Sequence, residues 1–126
     1  MKLSQAELDT MLALWECEEP IRPAQLLRRM ESTHSWSIST LKTLLMRLEE
    51  KGAVRVICQK RFHYCTPTLS KEAFLKQETE ILMARLQDAS PLPLMASLIN
   101  DEKITEAELD EIELLLNEAK SRFTEK

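Results

Sequence analysis

Five side chains within one short stretch of this chain are suited to touch a polyanion and the polar edges beside it. Ser39, Thr40, Lys42, Thr43 and Arg47 alternate with Leu41, Leu44, Leu45 and Leu48. At the helical period of about 3.6 residues, the leucines fall with Ile38 on one stripe expected to face a core. The polar residues fall with Met46 on the opposite stripe. Short hydroxyls mixed with cations can hydrogen-bond to base edges and phosphates in a DNA groove, whereas a helix that meets only solvent favours Glu/Lys pairs. Ser39, Thr40, Lys42 and Thr43 are therefore the candidate base-reading residues. Lys42 suits guanine O6 and N7, and the threonines suit a base edge or a thymine methyl. Arg47, a turn further on, suits a phosphate as well as a base.

The neighbouring segments can position such a helix. Gly52 ends it, and two β-rich runs follow, Ala53–Cys58 and Phe62–Thr66, split by Gln59-Lys60-Arg61. They read as a hairpin with two cations at its tip; the turn has no glycine, so its type stays open. Upstream, Ser4-Gln-Ala-Glu7 is a capping box with Leu3 and Leu8 at the staple positions. The helix it starts carries Leu8, Met11, Leu12 and Trp15 at core spacing and should end near Glu18-Glu19-Pro20. Trp15 is expected in the core, and Ile21 is placed to pair briefly in a sheet. Pro23 suits the first turn of a second helix whose buried stripe is Leu26, Leu27 and Met30. The turn Glu31–Trp36 then leads into the outward-facing polar helix. This is the pattern of a helix-turn-helix with a wing.

Charge along the chain agrees with that arrangement. The net charge of the 126 residues is −4, but residues 22–71 hold ten Lys/Arg against Glu31, Glu49 and Glu50. Residues 1–21 hold one lysine against five acids, and residues 72–126 six Lys/Arg against thirteen acids. Phosphate binding responds to the local field, so the basic middle matters more than the total. Arg22, Arg28, Arg29, Arg47, Lys51, Lys60 and Arg61 are the candidate phosphate contacts.

Beyond Ser70 the composition changes. Residues 71–88 form a helical run with Phe74, Leu75, Ile81, Leu82 and Leu86, broken by Pro91 and Pro93; residues 94–99 are apolar and short. Thr105-Glu-Ala-Glu108 is a second capping box, and the helix it opens carries Leu109, Ile112, Leu115, Leu116 and Ala119 on one face to about Phe123. These segments have much apolar stripe and no evident core of their own, which predicts a second copy of the chain as partner. Phe74, Leu82, Leu109, Ile112, Leu115 and Leu116 are the expected dimerisation residues. The fold class is thus mainly α with a small β-hairpin wing: a winged helix-turn-helix domain over residues 1–68 and a helical dimerisation region over 69–126.

Other chemistries are less well served. No apolar run approaches the roughly 20 residues of a membrane span, and Met1-Lys2-Leu3 runs into a helix without a signal peptide, so a cytoplasmic protein away from membranes is expected. Cys17, Cys58 and Cys65 lack CxxC spacing, as reduced thiols do. Cys58, His63 and Cys65 bracket the wing and offer an alternative, a metal-responsive regulator. Cys58 need not face the other two, however, and no metal or cofactor is expected. Two histidines and no triad spacing argue against an enzyme. A further alternative is a winged-helix module that binds proteins without reading DNA.

The segment Trp36–Gly52, the wing ending Phe62-His-Tyr-Cys-Thr-Pro67, the opening Leu3–Glu7, the helix to Leu14-Trp15 and the acidic tail resemble the BlaI/MecI/CopY family of penicillinase repressors. The resemblance spans nearly the whole chain and is most specific at Thr40–Leu45 and Arg47-Leu48. It implies a homodimeric winged-helix repressor on a palindromic DNA operator, silencing β-lactam or copper resistance genes. It also implies that Ser39, Thr40, Lys42, Thr43 and Arg47 make the recognition-helix contacts. Copper-responsive members end in Cys-x-Cys motifs, which this chain lacks, so copper sensing by that route is excluded. β-Lactam-responsive members are cleaved at an Asn-Phe bond before the last helix. The matching bond here is Ser97–Leu98 in Met95–Asn100; its residues permit cleavage without calling for it. A signalling protease is the further partner this would imply.

Overall fold

The computed structural model describes residues 1–87 and 89–124; Asp88, the last residue of the helical run expected over 71–88, lies outside them. Six helices and one hairpin follow in order: α1 Gln5–Trp15, α2 Pro23–Met30, α3 Ile38–Glu50, β1 Val54–Gln59, β2 Phe62–Pro67, α4 Lys71–Arg85, α5 Leu92–Ile99 and α6 Glu106–Thr124. The chain divides into two compact units, Met1–Leu82 and Met83–Lys126.

In the first unit local chemistry sets each boundary. The Glu7 N–H donates to Ser4 Oγ at 3.2 Å and the Ser4 N–H to Glu7 Oε1 at 2.8 Å, so both arms of the first capping box are made. Helix α3 ends on Gly52, whose φ of +81° is a left-handed conformation that favours glycine. The Gly52 N–H bonds Glu49 O and the Ala53 N–H bonds Leu48 O. This pair of bonds is a Schellman motif, and Ala53 and Leu48, both fully buried, supply its apolar contact.

Helices α1, α2 and α3 enclose a core of Met11, Leu14, Leu26, Met30, Leu41, Leu45 and Leu48, closed on one side by Ala53, Val54 and Cys65. Strands β1 and β2 pair antiparallel from Val54↔Pro67 to Gln59↔Phe62. Ile21 bridges Cys65 with bonds of 3.0 and 2.7 Å, so the α1–α2 link supplies the short pairing expected there and roots the hairpin in the helical body.

Three core expectations are corrected. Leu12 is 43% exposed, because it lines an open depression between α1 and the turn after α2 rather than the core. Ile38 is 37% exposed, because it starts α3 and overhangs the core that begins at Leu41. Trp15 is half-buried rather than central. Its Nε1–H donates to Leu69 O at 2.8 Å, and its ring lies 5.6 Å from that of Phe74, which is 5% exposed. Trp15 therefore holds the segment leaving the wing and the start of α4 against α1. Trp15→Phe keeps an aromatic ring but strands the Leu69 carbonyl. It is expected to lower the unfolding free energy by about 1–2 kcal/mol, seen as a reduced urea midpoint at unchanged slope.

In the second unit, no residue of α5 or α6 is buried. Pro91 caps α5 with Pro93 in its first turn, where a missing N–H costs nothing. The second capping box forms: the Thr105 N–H donates to Glu108 Oε1 at 3.0 Å and the Glu108 N–H to Thr105 Oγ1 at 3.1 Å. Among the described residues no helix is long and apolar enough to cross a membrane.

Candidate nucleic-acid interface

The start of α3 is held by contacts on both sides of it. Ser37 has extended backbone and caps the helix, its Oγ accepting from the Thr40 N–H at 3.2 Å. The preceding turn is folded by Thr33 and His34 N–H bonds to Met30 O. His34 is more than a turn residue. Its Nε2 lies 2.9 Å from Asp9 Oδ2, its Nδ1 lies 2.8 Å from Thr33 Oγ1, and its ring packs 4.5 Å from that of Trp36. The bonds to His34 and then Gln5 hold the Asp9 carboxyl below its ordinary range. These contacts tie the loop before α3 to α1.

The far end of α3 is tied to α1 as well. Lys51 Nζ lies 2.7 Å from Glu7 Oε1 and 2.9 Å from Lys2 O. Burial works against the Glu7 carboxylate, but its bonds from Lys51 and Ser4 outweigh that and hold its pKa down. Lys51, assigned from the sequence to phosphate, is thus already engaged by a carboxylate on α1.

Between these ties, Leu41, Leu44, Leu45 and Leu48 are buried, and Ser39, Thr40, Lys42, Thr43, Met46 and Arg47 are exposed. The outward face has two sides. Ser39, Thr40, Thr43 and Arg47 line one shallow depression. Lys42 lies on the other side, lining a groove of ≈ 190 Å³ with Arg22, Pro23, Ala24, Ile38, Arg61, Phe62 and His63. The Thr43 hydroxyl donates to Ser39 O at 3.0 Å, and the Thr40 hydroxyl shares a hydrogen bond with Ser37 Oγ at 3.0 Å. Thr43 therefore has its methyl and its oxygen lone pairs left for a ligand, its proton being already committed to Ser39 O.

The wing brings the other cations close. Of the two loop residues, Lys60 has a left-handed φ, +58°, a conformation that favours glycine. Lys60 and Arg61 are exposed at the tip. The Arg22 guanidinium lies 3.8 Å from the centroid of the Phe62 ring, a contact that sequence reasoning missed because forty residues separate the two. Arg28 and Arg29 are exposed on the last turn of α2, but Arg29 shares its depressions with Glu16, Glu18 and Glu19 and not with Lys42 or Arg61.

The cysteines do not join this surface as a metal site. Register sets Cys58 opposite His63, so these two do face each other, but Cys65 stands opposite Val56 and is buried. Burial and then the Glu49 carboxylate push its thiol pKa up to about 11. Among the described residues no three His, Cys, Asp or Glu side chains are grouped to hold a metal ion.

Of the expected dimerisation residues, Phe74 is buried against Trp15 and has almost none of its ring left for a partner chain. Leu82, Leu109, Leu115 and Leu116 are 37–62% exposed, and Ile112 is half-buried. Ser97 and Leu98 are exposed on the last turns of α5, in helical rather than extended backbone.

The family model described as "Penicillinase repressor" matches residues 3–118. The penicillinase repressor of Bacillus licheniformis is 23% identical over 124 residues, 98% of this chain and 96% of its own. The solution structure of the DNA-binding domain of the repressor BlaI matches with a TM-score of 0.51 and 29% identity, covering 57% of this chain and 87% of that one. The Bacillus licheniformis BlaI monomeric form, solved in complex with the blaP half-operator, matches with a TM-score of 0.50 and 29% identity over 58% and 88%.

Proposed function

Because the chain belongs to the penicillinase repressor family, we propose that it is a DNA-binding transcriptional repressor that works as a homodimer on a palindromic operator. The observation that carries this reading is the open outer face of α3. Ser39, Thr40, Lys42, Thr43 and Arg47 are all exposed there, beside a wing that ends in two cations. Ser39, Thr40, Lys42 and Thr43 read base edges, while Arg22, Arg47, Lys60 and Arg61 meet phosphates and fix register. Arg28 and Arg29 reach only flanking phosphates, and Lys51 does so only by leaving Glu7.

Residues 1–68 carry the interface, and residues 69–126 hold the dimer through Leu82, Leu109, Ile112, Leu115 and Leu116. The support for this division is that no residue of α5 or α6 is fully buried within one chain. Helices of this length gain most of their stability from packing an apolar face, and a second copy provides one. The two α3 helices then enter major grooves a whole number of turns apart, about 10 bp each. The protein works in the cytoplasm, with its operator. Release by a signalling protease at Ser97–Leu98 requires the last turns of α5 to unwind.

Selection of genomic fragments by the purified protein, at two salt concentrations, tests the reading. One enriched palindrome is expected, with a log–log salt slope of about −5 for some six phosphates engaged. Weak uniform binding, or none, overturns sequence-specific repression and favours a module that binds proteins.

A further inference from the structure

We propose that Phe62 is a positioning residue of the DNA interface: its ring carries the Arg22 guanidinium, and through it locks the wing to the start of α2. This rests on the repressor reading above and adds to it a residue that touches no base.

Phe62 is the first residue of β2, directly after the Lys60-Arg61 tip, and is 43% exposed. A large aromatic on the rim of a cationic groove contributes little to the core. The base of the hairpin is well rooted: Cys65 bonds Ile21, and Ala53 O accepts from the N–H groups of Thr68 and Leu69. The distal half has no such backbone tie, and an isolated two-stranded hairpin is marginal in water. The contact of Arg22 with Phe62, 3.8 Å from the ring centroid, links that distal half to the helical body.

The geometry serves binding as well as anchorage. A guanidinium stacked on a ring uses its face, and its N–H donors point outward in its plane, free to form a fork on a phosphate. Stacking therefore orders Arg22 before DNA arrives without consuming its donors, and the freedom lost on binding is smaller. Lys42 and Arg61 line the same groove, so the ring also sets where the two phosphate-binding arginines stand relative to the base-reading Lys42.

The test is a double-mutant cycle on the full-length protein, with duplex binding measured across a salt series. Phe62→Leu, which keeps apolar volume without the π face, is expected to weaken binding about two- to fivefold per bound copy. Arg22→Gln should weaken it at least as much and flatten the log–log salt slope by about one per copy. In the Arg22→Gln background, Phe62→Leu should cost nothing further. Phe62→Tyr, which restores the ring, should recover the binding lost in Phe62→Leu. Losses that simply add, or a Phe62→Leu variant that binds as wild type, overturn the positioning role while leaving the repressor reading intact. A wild-type protein that binds no duplex overturns both. Thermal unfolding of each variant shows whether the groove or the fold has changed, and equal losses of binding and of unfolding midpoint in the Leu and Tyr variants also overturn the role.

Discussion

Lys42→Ala is expected to weaken binding to the preferred duplex about ten- to a hundredfold, the worth of a lost contact to a guanine edge. The larger part of that loss should be specific. Affinity for unrelated duplex falls less, so the ratio of specific to non-specific binding shrinks. Lys60→Ala gives the contrasting result: it sits at the wing tip beyond the groove lined by Lys42, and its loss should weaken all sequences alike and flatten the salt slope by about one per copy. Competition binding with one base pair changed at a time separates the two. A Lys42→Ala protein that keeps its discrimination would remove Lys42 from the base-reading set and leave selection to the Ser39–Thr40–Thr43–Arg47 side of the face.

The second large effect concerns the pair that ties α3 to α1. Lys51→Met leaves the Glu7 carboxylate, 4% exposed, without its cation. Breaking a buried pair by removing one partner costs about 3–5 kcal/mol. Lys51 itself is 36% exposed, and water replaces part of what it supplies, so about 2 kcal/mol at neutral pH is expected. The effect has a definite pH dependence. Glu7 titrates in the folded protein below its ordinary value of 4.5, so the unfolded chain binds its proton first as pH falls. The stability contributed by the pair is therefore fully present above about pH 4.5 and is lost as acid carries the folded protein through its lower pKa. Lys51→Met should accordingly lie furthest below wild type at pH 7 and approach it only below pH 4.5, as acid protonates Glu7 in the folded wild type. A constant gap in urea unfolding across that range would show that the pair contributes nothing through its charge.

What the sequence made legible divides along the range of the interactions. Capping boxes at Ser4–Glu7 and Thr105–Glu108, the glycine stop at residue 52, the leucine stripe of α3 and the hairpin Val54–Pro67 are local patterns close in sequence, and all are present in the structure. The outward polar face of α3 follows from the same periodicity. Contacts that join distant residues were invisible to that reading. Lys51 reaches Glu7 across 44 positions, His34 reaches Asp9 across 25, and Trp15 reaches Leu69 across 54. Each redirects a side chain whose type alone suggested another role. Lys51 is a cation in a basic stretch, yet it faces a carboxylate. Ile38 fits the apolar stripe by spacing, but a helix end projects past the core it helps to cover. Phe74 looks like its neighbours along α4, and only the position of Trp15 makes it a core residue.

The bare leucines of α6 have a consequence for dosage. A lone copy carries Leu109, Leu114, Leu115 and Leu116 into water, a surface of the kind that quality-control proteases and holdases seize. In the dimer proposed above, pairing hides it, so assembly and survival become one event. While most copies are single, the number of pairs rises with the square of the amount synthesised. A cell that halves its synthesis then loses about three-quarters of its pairs, and growth alone, by dilution, can open a gene that this protein keeps shut.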